Sequence, residues 1–270
     1  MKVALVTGGS RGIGATIVDR LSSDGMAVAC TATSLDRAES VAKDVQSRYG
    51  RPVLPIEMHV EDPESVRRAF ATVGRELGPV SLLVNNAGIN QVASIVDADL
   101  DVISQIIDVN LKGLINCSQV AANAMIEADI QGSIINIGSL AGLVGFPSRA
   151  AYGSSKAGVH HFTKVLAVEL ANHKIRVNCV APGFVQTGML HELVTKGLIN
   201  VDAVRQRTPL ADLVPVDEIA EAVVWLASAA ARSITGQILA IDGGWTAYVG
   251  HPRQLFGVDD APDPGDNEID

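Results

Sequence analysis

Ser139, Tyr152 and Lys156 carry the side chains and the spacing that proton transfer requires. Tyr152 and Lys156 lie four residues apart in a segment with helical periodicity, so their side chains project from one face. Ser139 follows the apolar run 133–138, which is typical of a buried strand. A phenol ordinarily titrates at about pH 10, but a fixed ammonium beside it stabilises the phenolate and brings proton exchange closer to neutral pH. The three residues therefore predict proton-transfer machinery, which needs a partner that moves electrons.

The elements that must position these residues alternate between strand and helix. Apolar runs predict seven strands, at 3–6, 27–30, 53–58, 82–84, 134–137, 177–180 and 238–241. Apolar residues spaced three and four apart predict helices at 12–24, 35–49, 63–77, about 99–126, 150–172 and 216–229. Such alternation implies right-handed crossovers between parallel strands. The predicted fold is α/β, a single-domain Rossmann-type doubly wound parallel seven-stranded sheet with helices on both faces.

The composition disfavours several classes of function. The formal net charge is −9, whereas a nucleic-acid surface would cluster Lys and Arg. The histidines and cysteines show no metal-ligand spacing, so no metal is expected. Cys30 and Cys179 fall in apolar runs and are expected to be buried, reduced thiols. Since no signal peptide and no apolar run of about 18 residues can be identified, the chain is expected to be cytoplasmic, without membrane contact.

Two segments differ from the alternating pattern. Residues 1–247 are expected to form one catalytic domain. Within it, the stretch of about 187–210 breaks the alternation, and a substrate lid is expected there, over the carboxyl edge of the sheet. Residues 248–270 are expected to form an acidic C-terminal tail, because residues 251–270 hold six acidic residues and one arginine. The composition leaves open whether this tail is flexible or lies on a neighbouring molecule.

The first predicted strand runs directly into a glycine-rich turn, residues 7–14, that opens a helix. Glycine permits a tight turn and lets the backbone approach a pyrophosphate held at the helix N-terminus. The spacing G-x-x-x-G-x-G is looser than the common dinucleotide fingerprint, and such a turn can also be purely structural. Its position straight after the first strand favours a nucleotide site. The candidate cofactor contacts here are Gly8, Ser10, Arg11, Gly12, Ile13 and Gly14.

The end of the second strand bears on which dinucleotide binds. Enzymes that use NAD often place Asp or Glu there to hold the adenosine ribose, whereas this chain has Ala32, Thr33 and Ser34. Hydroxyls and arginines suit a 2′-phosphate, which an acid would repel, and Arg11 stands in the glycine turn. Arg37 follows shortly after, but it could equally be a solvated helix residue. The sequence therefore favours NADP(H) over NAD(H), with Thr33 and Ser34 as contacts.

Several motifs in one order give the chain a family resemblance. These are the glycine turn, Asn85-Asn86-Ala87-Gly88, Ser139, Tyr152-x-x-x-Lys156 and Pro182-Gly183. With them the chain resembles the short-chain dehydrogenase/reductase family over about residues 2–245. It is most similar to the branch that contains 3-oxoacyl-carrier-protein reductases and many bacterial ketone and polyol dehydrogenases. The resemblance also implies a homotetramer.

The resemblance implies a role for each matching residue. Tyr152 would exchange a proton with the carbonyl oxygen, Lys156 would stabilise the phenolate and hold the nicotinamide ribose, and Ser139 would orient the carbonyl oxygen. Asn110 matches the position that anchors a water between the lysine and solvent, and an asparagine inside a helix needs a bonding partner. Thr187 matches the contact to the nicotinamide carboxamide. The remaining implied cofactor contacts are Tyr152 and Lys156 again, with Val60, Asn86, Ala87, Gly88, Pro182, Gly183 and Val185.

The chain departs from the family pattern in two places. His59-Val60 stands where members carry Asp or Asn beside the adenine, which leaves a backbone contact at Val60. The stretch 125–131 carries acidic residues where reductases that dock acidic carrier proteins present basic ones around the active-site mouth. We therefore expect a small ketone or secondary alcohol as substrate. A 3-oxoacyl thioester of a carrier protein or CoA is the alternative, and a non-catalytic dinucleotide-binding regulator is the third hypothesis.

Overall fold

All seven predicted strands are present, and they pair into one parallel sheet. The computed structural model describes residues 1–248, so the expected acidic tail lies outside the described residues except for Tyr248. The strands are β1 Val3–Val6, β2 Ala27–Ala32, β3 Val53–Glu57, β4 Leu82–Asn85, β5 Ser133–Ile137, β6 Arg176–Pro182 and β7 Ile238–Ile241. Their order across the sheet is β3-β2-β1-β4-β5-β6-β7. The doubly wound fold is thereby confirmed, and the reversal of order beside β1 and β4 opens a crevice at the carboxyl edge.

Helices cover both faces of this sheet. They are α1 Gly12–Ser23, α2 Leu35–Tyr49, α3 Pro63–Glu76, α4 Leu100–Ile107, α5 Gly113–Glu127, α6 Ala150–Glu169, α7 Gly188–Thr195, α8 Val201–Arg207 and α9 Val216–Ala227. One apolar core lies between the sheet and α1, α2 and α9. A second core lies on the opposite face, under α3, α5 and α6. Because both faces are covered, β1, β2, β4 and β5 are buried along their whole length.

The side chains of neighbouring strand residues go alternately to the two cores. In β1, Ala4 and Val6 pack under α1 and α9, while Val3 and Leu5 face the other layer. Each fully buried side chain of this size contributes about 1.5–3 kcal/mol. The apolar stripe predicted on α6 belongs to these interiors, since Leu166 and other stripe residues are buried against the sheet rather than presented to solvent.

Two strands run two residues further at their carboxyl ends than their apolar runs suggested. β2 continues past Cys30 to Ala32, because Thr31 and Ala32 still pair in register with Ile56 and Glu57 of β3. β6 likewise continues to Pro182, which pairs with the last residue of β7. Polar and proline residues at these ends hide the strand from a pattern based on apolar runs, and pairing with a neighbour extends it.

The helix predicted over about 99–126 is one continuous helical rod with a π-helical segment inside it. α4 ends at Ile107, residues Asp108–Lys112 form the π-helical segment, and α5 begins at Gly113. Such segments are rare and occur often at functional sites. The bulge here brackets Asn110, one of the predicted site residues.

The stretch 187–210 contains two short helices, α7 and α8, rather than a bare loop. Thr187 caps α7 and Asn200 caps α8 through side-chain oxygens that accept backbone N–H groups. Their apolar residues, including Leu190 and Val204, form a small cluster of their own with Leu213. The segment is therefore a structured cover over the carboxyl edge.

The three cysteines are buried free thiols. Burial raises the pKa of Cys30, Cys117 and Cys179 to about 12 each, so they stay protonated at neutral pH. The expectation of buried thiols is confirmed. Within residues 1–248, no helix combines the length and the apolar character needed to cross a membrane.

Candidate active site

Ser139 lies at the carboxyl edge directly after β5. Its side chain is buried, and its Oγ accepts a hydrogen bond from the backbone N–H of Ala141 at 3.1 Å. The backbone is extended at Ser139 and turns at once into a single 3₁₀ turn, Leu140–Gly142. Ser139 thus caps this turn, and the cap holds its hydroxyl oxygen at the end of the strand.

Tyr152 and Lys156 lie in the first two turns of α6, whose N-terminus meets the same edge. The Lys156 Nζ is 5.8 Å from the centroid of the Tyr152 ring. Lys156 is only 4% exposed, and its Nζ donates to the carbonyl of Ile137 at 2.8 Å. The half-buried phenol makes no hydrogen bond to any residue in the described part of the chain. The ammonium is therefore fixed beside a hydroxyl that stays available to a ligand.

Asn110 connects the chain after β4 to α6. Its Oδ1 accepts from the backbone N–H of Ile89 at 2.8 Å, and its Nδ2 donates to the Ile89 carbonyl at 2.9 Å. The same Nδ2 donates to Ser155 Oγ at 3.1 Å. These bonds give an asparagine inside a helix the partners it needs, and they explain why the rod bulges there.

Gly88 completes the convergence of the predicted residues. A Cβ at this position would lie 3.3 Å from Asn110 Oδ1 and 3.7 Å from Lys156 Nζ. A side chain here would crowd both groups, so glycine lets the chain after β4 pass close to the ammonium. Ser139, Tyr152, Lys156 and Asn110 thus come from three separate elements, the end of β5, α6 and the π-helical segment, and lie close together at the edge.

The glycine turn after β1 is braced by the motif after β4. Thr7 Oγ1 accepts the backbone N–H groups of Asn86 and Ala87, each at 2.9 Å. The Asn86 amide in turn donates to the carbonyls of Thr7 and Gly8, each at 2.9 Å. A Cβ on Gly14 would collide with the Gly8 carbonyl, so α1 can approach the turn only with glycine there. The side-chain amide of Asn86 therefore holds the glycine turn in place.

The N-termini of α1, α2, α6 and α9 lack side-chain caps, and those of α1 and α2 lie beside the glycine turn and the end of β2. Arg11 and Ser34 precede α1 and α2, and neither side chain accepts a backbone N–H of its helix. By contrast, Asp62 and Asp99 cap α3 and α4. Uncapped N-termini leave backbone donors free for phosphate oxygens. Together with the glycine turn, this donor set fits a dinucleotide.

The contacts predicted for the adenosine end lie around the ends of β2 and β3. Thr33 is exposed and Ser34 half-buried, and the residues at the end of β2 include no acid. Arg37 is exposed on α2. Val60 is buried, and its carbonyl accepts the side-chain amide of Asn116 at 3.0 Å, which leaves its N–H as the group that could face a ligand.

The predicted residues after β6 meet the glycine turn from the other side. A Cβ on Gly12 would lie 3.7 Å from the Thr187 methyl carbon, although the two residues are far apart in sequence. Val185 is buried and bridges to Val214, which fixes the extended chain that leads to Thr187. Pro182 ends β6, and Gly183 packs so closely on Asp242 that a Cβ would overlap its backbone.

His160 also supports the site, although the sequence did not single it out. It follows Lys156 by four residues, on the same face of α6, and the Ser139 N–H points to its Nε2 at 3.5 Å. Burial, and next the charge of Lys156, lower the pKa of His160 to about 4. The ring is therefore neutral at physiological pH and can accept from the Ser139 backbone. The 152–156–160 spacing was the signal that could have found it.

A buried chain of polar side chains lies under the site. The Asn85 amide donates to Ser118 Oγ and to Asn136 Oδ1, each at 2.9 Å. Asn136 donates to Thr163 Oγ1 at 2.9 Å. These bonds tie β4 and β5 to α5 and α6, and so hold the strand ends and the helix that carry the site in one arrangement.

Three aromatic rings stand on the substrate side of the edge. Phe146, Phe184 and Trp245 have ring centroids 5.0–6.1 Å apart. The guanidinium of Arg207 in α8 lies 4.6 Å from the Trp245 ring centroid and donates to the Trp245 and Tyr248 carbonyls. The cover formed by α7 and α8 thus packs against Phe184 and Trp245 of this aromatic group.

Known proteins are similar to this chain in sequence and in architecture. Residues 2–197 match the family model described as short chain dehydrogenase. A 3-oxoacyl-[acyl-carrier-protein] reductase of Thermotoga maritima is 36% identical over 243 residues, 90% of this chain and 97% of the relative. A short-chain type dehydrogenase/reductase of Sinorhizobium fredii is 38% identical over 245 residues, 90% of this chain but only 43% of that longer relative. A solved gluconate 5-dehydrogenase of Burkholderia cenocepacia, in complex with NADP and tartrate, superposes with a TM-score of 0.87 at 32% identity, covering 92% of this chain and 96% of the other.

Proposed function

The chain belongs to the short-chain dehydrogenase/reductase family, and from this premise we propose that it interconverts a small ketone and the corresponding secondary alcohol with NADP(H). Members act on alcohol and carbonyl groups with a nicotinamide cofactor, so oxidoreductase activity follows from membership. The observation that carries the specific proposal is the available phenol of Tyr152 beside the fixed ammonium of Lys156.

Each residue of the site has a defined part in the proposed reduction. NADPH, when bound at this edge, would supply the hydride that reduces the carbonyl carbon. Tyr152 donates its hydroxyl proton to the carbonyl oxygen as the C=O double bond becomes a single bond. Ser139 Oγ donates a hydrogen bond to the same oxygen and orients it. Lys156 stabilises the phenolate that remains until a proton returns from solvent.

Asn110 is proposed to keep the proton route open. Its side chain holds Ile89 and Ser155, and thereby the spacing between the chain after β4 and the second turn of α6. Lys156 lies in that turn. A water held at this point would connect the ammonium to solvent, which is the role that the family resemblance implies for Asn110.

The proposed cofactor site follows the uncapped helix ends and the braced turn. The glycine turn and the N-terminus of α1 would hold the pyrophosphate, Val60 would contact the adenosine end, and the chain after β4 and Lys156 would contact the nicotinamide ribose. The segment after β6 is placed at the nicotinamide. The proposed contacts are Gly8, Ser10, Arg11, Gly12, Ile13, Gly14, Thr33, Ser34, Val60, Asn86, Ala87, Gly88, Tyr152, Lys156, Pro182, Gly183, Val185 and Thr187.

The preference for NADP(H) rests on the end of β2. Ser34 starts α2 without capping it, so its hydroxyl and the first N–H groups of α2 are free for a 2′-phosphate. Arg11 adds positive charge from the neighbouring turn. We expect a Michaelis constant for NADPH about tenfold below that for NADH. A much lower constant for NADH would contradict this preference.

A small substrate is supported by the closed substrate side. α7 and α8 pack through Leu190 and Val204 against Phe184 and Trp245, which bounds the space over the site. The acidic stretch 125–131, in contrast, carries less weight than its sequence suggested. It precedes β5 and so lies at the amino edge of the parallel sheet, away from this chain's active-site mouth.

A 3-oxoacyl thioester reductase is the second candidate, because several curated relatives carry that name. Rates with free ketones, CoA thioesters and carrier-protein thioesters separate the two candidates. Free ketones are expected to react with the highest kcat/KM. Thioesters preferred by more than about tenfold would favour the second candidate.

The mechanism is tested with Tyr152→Phe, which removes the hydroxyl but keeps the ring. Loss of general acid catalysis is expected to lower turnover by about 10³-fold, while fluorescence titration shows NADPH still bound. His161→Asn, an exposed neighbour on α6, serves as the control and is expected to keep full activity. Full carbonyl reduction by Tyr152→Phe would falsify the proposed mechanism.

We also propose a cytoplasmic homotetramer with residues 1–247 as one catalytic domain and α7–α8 as its substrate lid. Support for assembly comes from apolar side chains that remain exposed on α5 and α6, namely Ile115, Val165 and Val168. Light scattering after size-exclusion chromatography measures the assembly. A monomer at micromolar concentration would contradict it.

A further inference from the structure

Arg149 brings a guanidinium to the candidate active site without an anionic partner. It precedes the first residue of α6 and is half-buried. Its Nη1 donates to Asn90 Oδ1 at 2.7 Å, and this is its one side-chain hydrogen bond in the described part of the chain. Within residues 1–248, no carboxylate oxygen lies within 4.0 Å of its nitrogens. A guanidinium has five N–H donors, so most of these remain without a protein acceptor.

The guanidinium shares the surroundings of the reacting phenol. Arg149 is the residue that precedes α6, and it stands three residues before Tyr152 in the sequence. Burial lowers the pKa of Arg149, and negative charge on Tyr152 would raise it, so the two groups lie within electrostatic range. The preceding Ser148 has a φ of 59° and accepts the Ala93 N–H at 3.1 Å, which pins this segment to the loop after β4.

Two other half-buried arginines, Arg176 and Arg207, make more hydrogen bonds to the protein than Arg149 does. Arg176 donates to the Leu226 carbonyl at 2.7 Å and approaches that of Ile234 at 3.5 Å. Arg207 donates to two carbonyls and stacks on Trp245. Like Arg149, neither has a carboxylate within 4.0 Å among the described residues, but each donates to two backbone carbonyls, whereas Arg149 donates to one amide oxygen.

We propose that Arg149 binds an anionic group of the substrate, so that the preferred substrates are short oxo or hydroxy compounds carrying a carboxylate or a phosphate ester. The inference rests on the proposed function, in which Tyr152 and Ser139 hold the carbonyl oxygen. A guanidinium binds carboxylate and phosphate oxygens in pairs. Because Arg149 and Tyr152 start from neighbouring positions, the anion and the reacting carbon must belong to one small molecule.

Matched probes with and without the charge test this assignment. One pair is acetoacetate and methyl acetoacetate, and the other is dihydroxyacetone phosphate and dihydroxyacetone. Each is tried as a substrate and, by calorimetric titration into the cofactor-loaded enzyme, as a ligand. The wild type is expected to prefer at least one charged probe over its neutral twin by tenfold or more. The two pairs distinguish a carboxylate from a phosphate.

The variants separate binding of the anion from support of the fold. Arg149→Gln is expected to bring the charged-to-neutral ratio close to one, with the neutral probe within about threefold of wild type. Arg149→Lys is expected to keep part of the preference, since an ammonium retains charge but loses the paired geometry. Arg232→Gln removes an equal charge from the exposed amino-edge side of β7 and is expected to leave the ratio unchanged.

Two results would overturn the inference. One is the finding that the wild type binds each charged probe no better than the neutral compound paired with it. The other is an equal loss for charged and neutral probes in Arg149→Gln, which would make Arg149 a structural link to Asn90. If Arg149→Gln fails to fold, Arg149→Lys and Asn90→Ala carry the same comparison of ratios. Failure of the proposed function is seen separately, as unimpaired turnover in Tyr152→Phe.

Discussion

The carboxyl edge of the sheet has two halves, one around β1, β2 and β4 and one around β5, β6 and β7, and they differ in the chemical groups they present. Around β1, β2 and β4, the donors are backbone N–H groups at a glycine turn and at two uncapped helix ends. Around β5, β6 and β7, the groups that face a ligand are side chains: a phenol, an ammonium, hydroxyls, aromatic rings and guanidinium groups. Under the proposed function the backbone half would bind the part that its dinucleotide ligands have in common, and a Cβ on Gly14 would not fit there. The side-chain half can change one residue at a time, and under the proposed function it would be the half that determines the substrate.

The largest effect is expected from a methyl group placed in the backbone half. Gly14→Ala puts a Cβ into the Gly8 carbonyl, and we expect a loss of about 3 kcal/mol in the free energy of unfolding, together with loss of cofactor binding. Urea unfolding and NADPH titration measure both. Gly74→Ala is the matched control, because its Cβ meets nothing within 4 Å in α3. That control should be stabilised by about 0.5–1 kcal/mol. A Gly14→Ala protein as stable as wild type would remove the contrast between the halves.

The next effect tests the side-chain half through pH. The pKa of His160 is about 4 in the fold against 6.5 ordinarily, so its contribution is complete above pH 6.5 and is lost as the pH falls towards 4. Between pH 7 and pH 5 the wild type is expected to lose about 2 kcal/mol of unfolding free energy through this residue. His160→Leu should remove that part of the pH dependence, whereas His161→Asn should keep it. If His160→Leu lost as much unfolding free energy between pH 7 and pH 5 as the wild type, the His160 ring would not be held neutral by the fold.

A smaller effect is expected from loss of the Asn86 hydrogen bonds that hold the glycine turn in the backbone half. Asn86→Ala removes two hydrogen bonds to the Thr7 and Gly8 carbonyls. The expected cost is about 1.4 kcal/mol, or a tenfold weaker Kd for NADPH. Turnover at saturating cofactor should stay within about twofold, because the phenol and ammonium are untouched. A change confined to kcat would place Asn86 with the reacting groups instead.

The smallest effect is expected at the substrate cover. Arg207→Gln loses the stacking on Trp245 and weakens the bonds to two carbonyls, worth about 0.5–1 kcal/mol at a partly exposed site. The substrate KM is expected to rise about two- to threefold, with the Kd for NADPH unchanged. Arg205→Gln, an exposed residue of the same helix, is the control. A larger change in cofactor affinity than in substrate KM would contradict the division into halves.

Local spacing was enough to predict much of this molecule. The strand runs, the Tyr152–Lys156 face and the placement of Ser139 at a strand end depend on neighbours in sequence, so the sequence shows them. The ends of β2 and β6 were missed because pairing with a neighbouring strand, and not apolarity, extends them. The amino-edge position of 125–131 follows from strand direction, which the interpretation of its charge had left out.

The remaining features depend on contacts across space. His160 supports Ser139 through a bond between a helix and the end of a strand. Phe146, Phe184 and Trp245 follow three different strands and have no common periodicity, so only the fold brings their rings together. The lack of an anionic partner for Arg149 also depends on contacts across space, because its one side-chain hydrogen bond among the described residues is to Asn90, far away in the sequence.

The π-helical segment at 108–112 sets the rotational phase between α4 and α5. One residue of an α-helix corresponds to a turn of about 100°, so deleting a residue there would give a more regular rod but rotate one end against the other. Asn110 would then lose Ile89 or Ser155, whichever end moved. The deletion would therefore give a more regular helix but a less active enzyme. The length of this rod is therefore more tightly constrained than its composition, and insertions or deletions should be harder to accommodate there than substitutions.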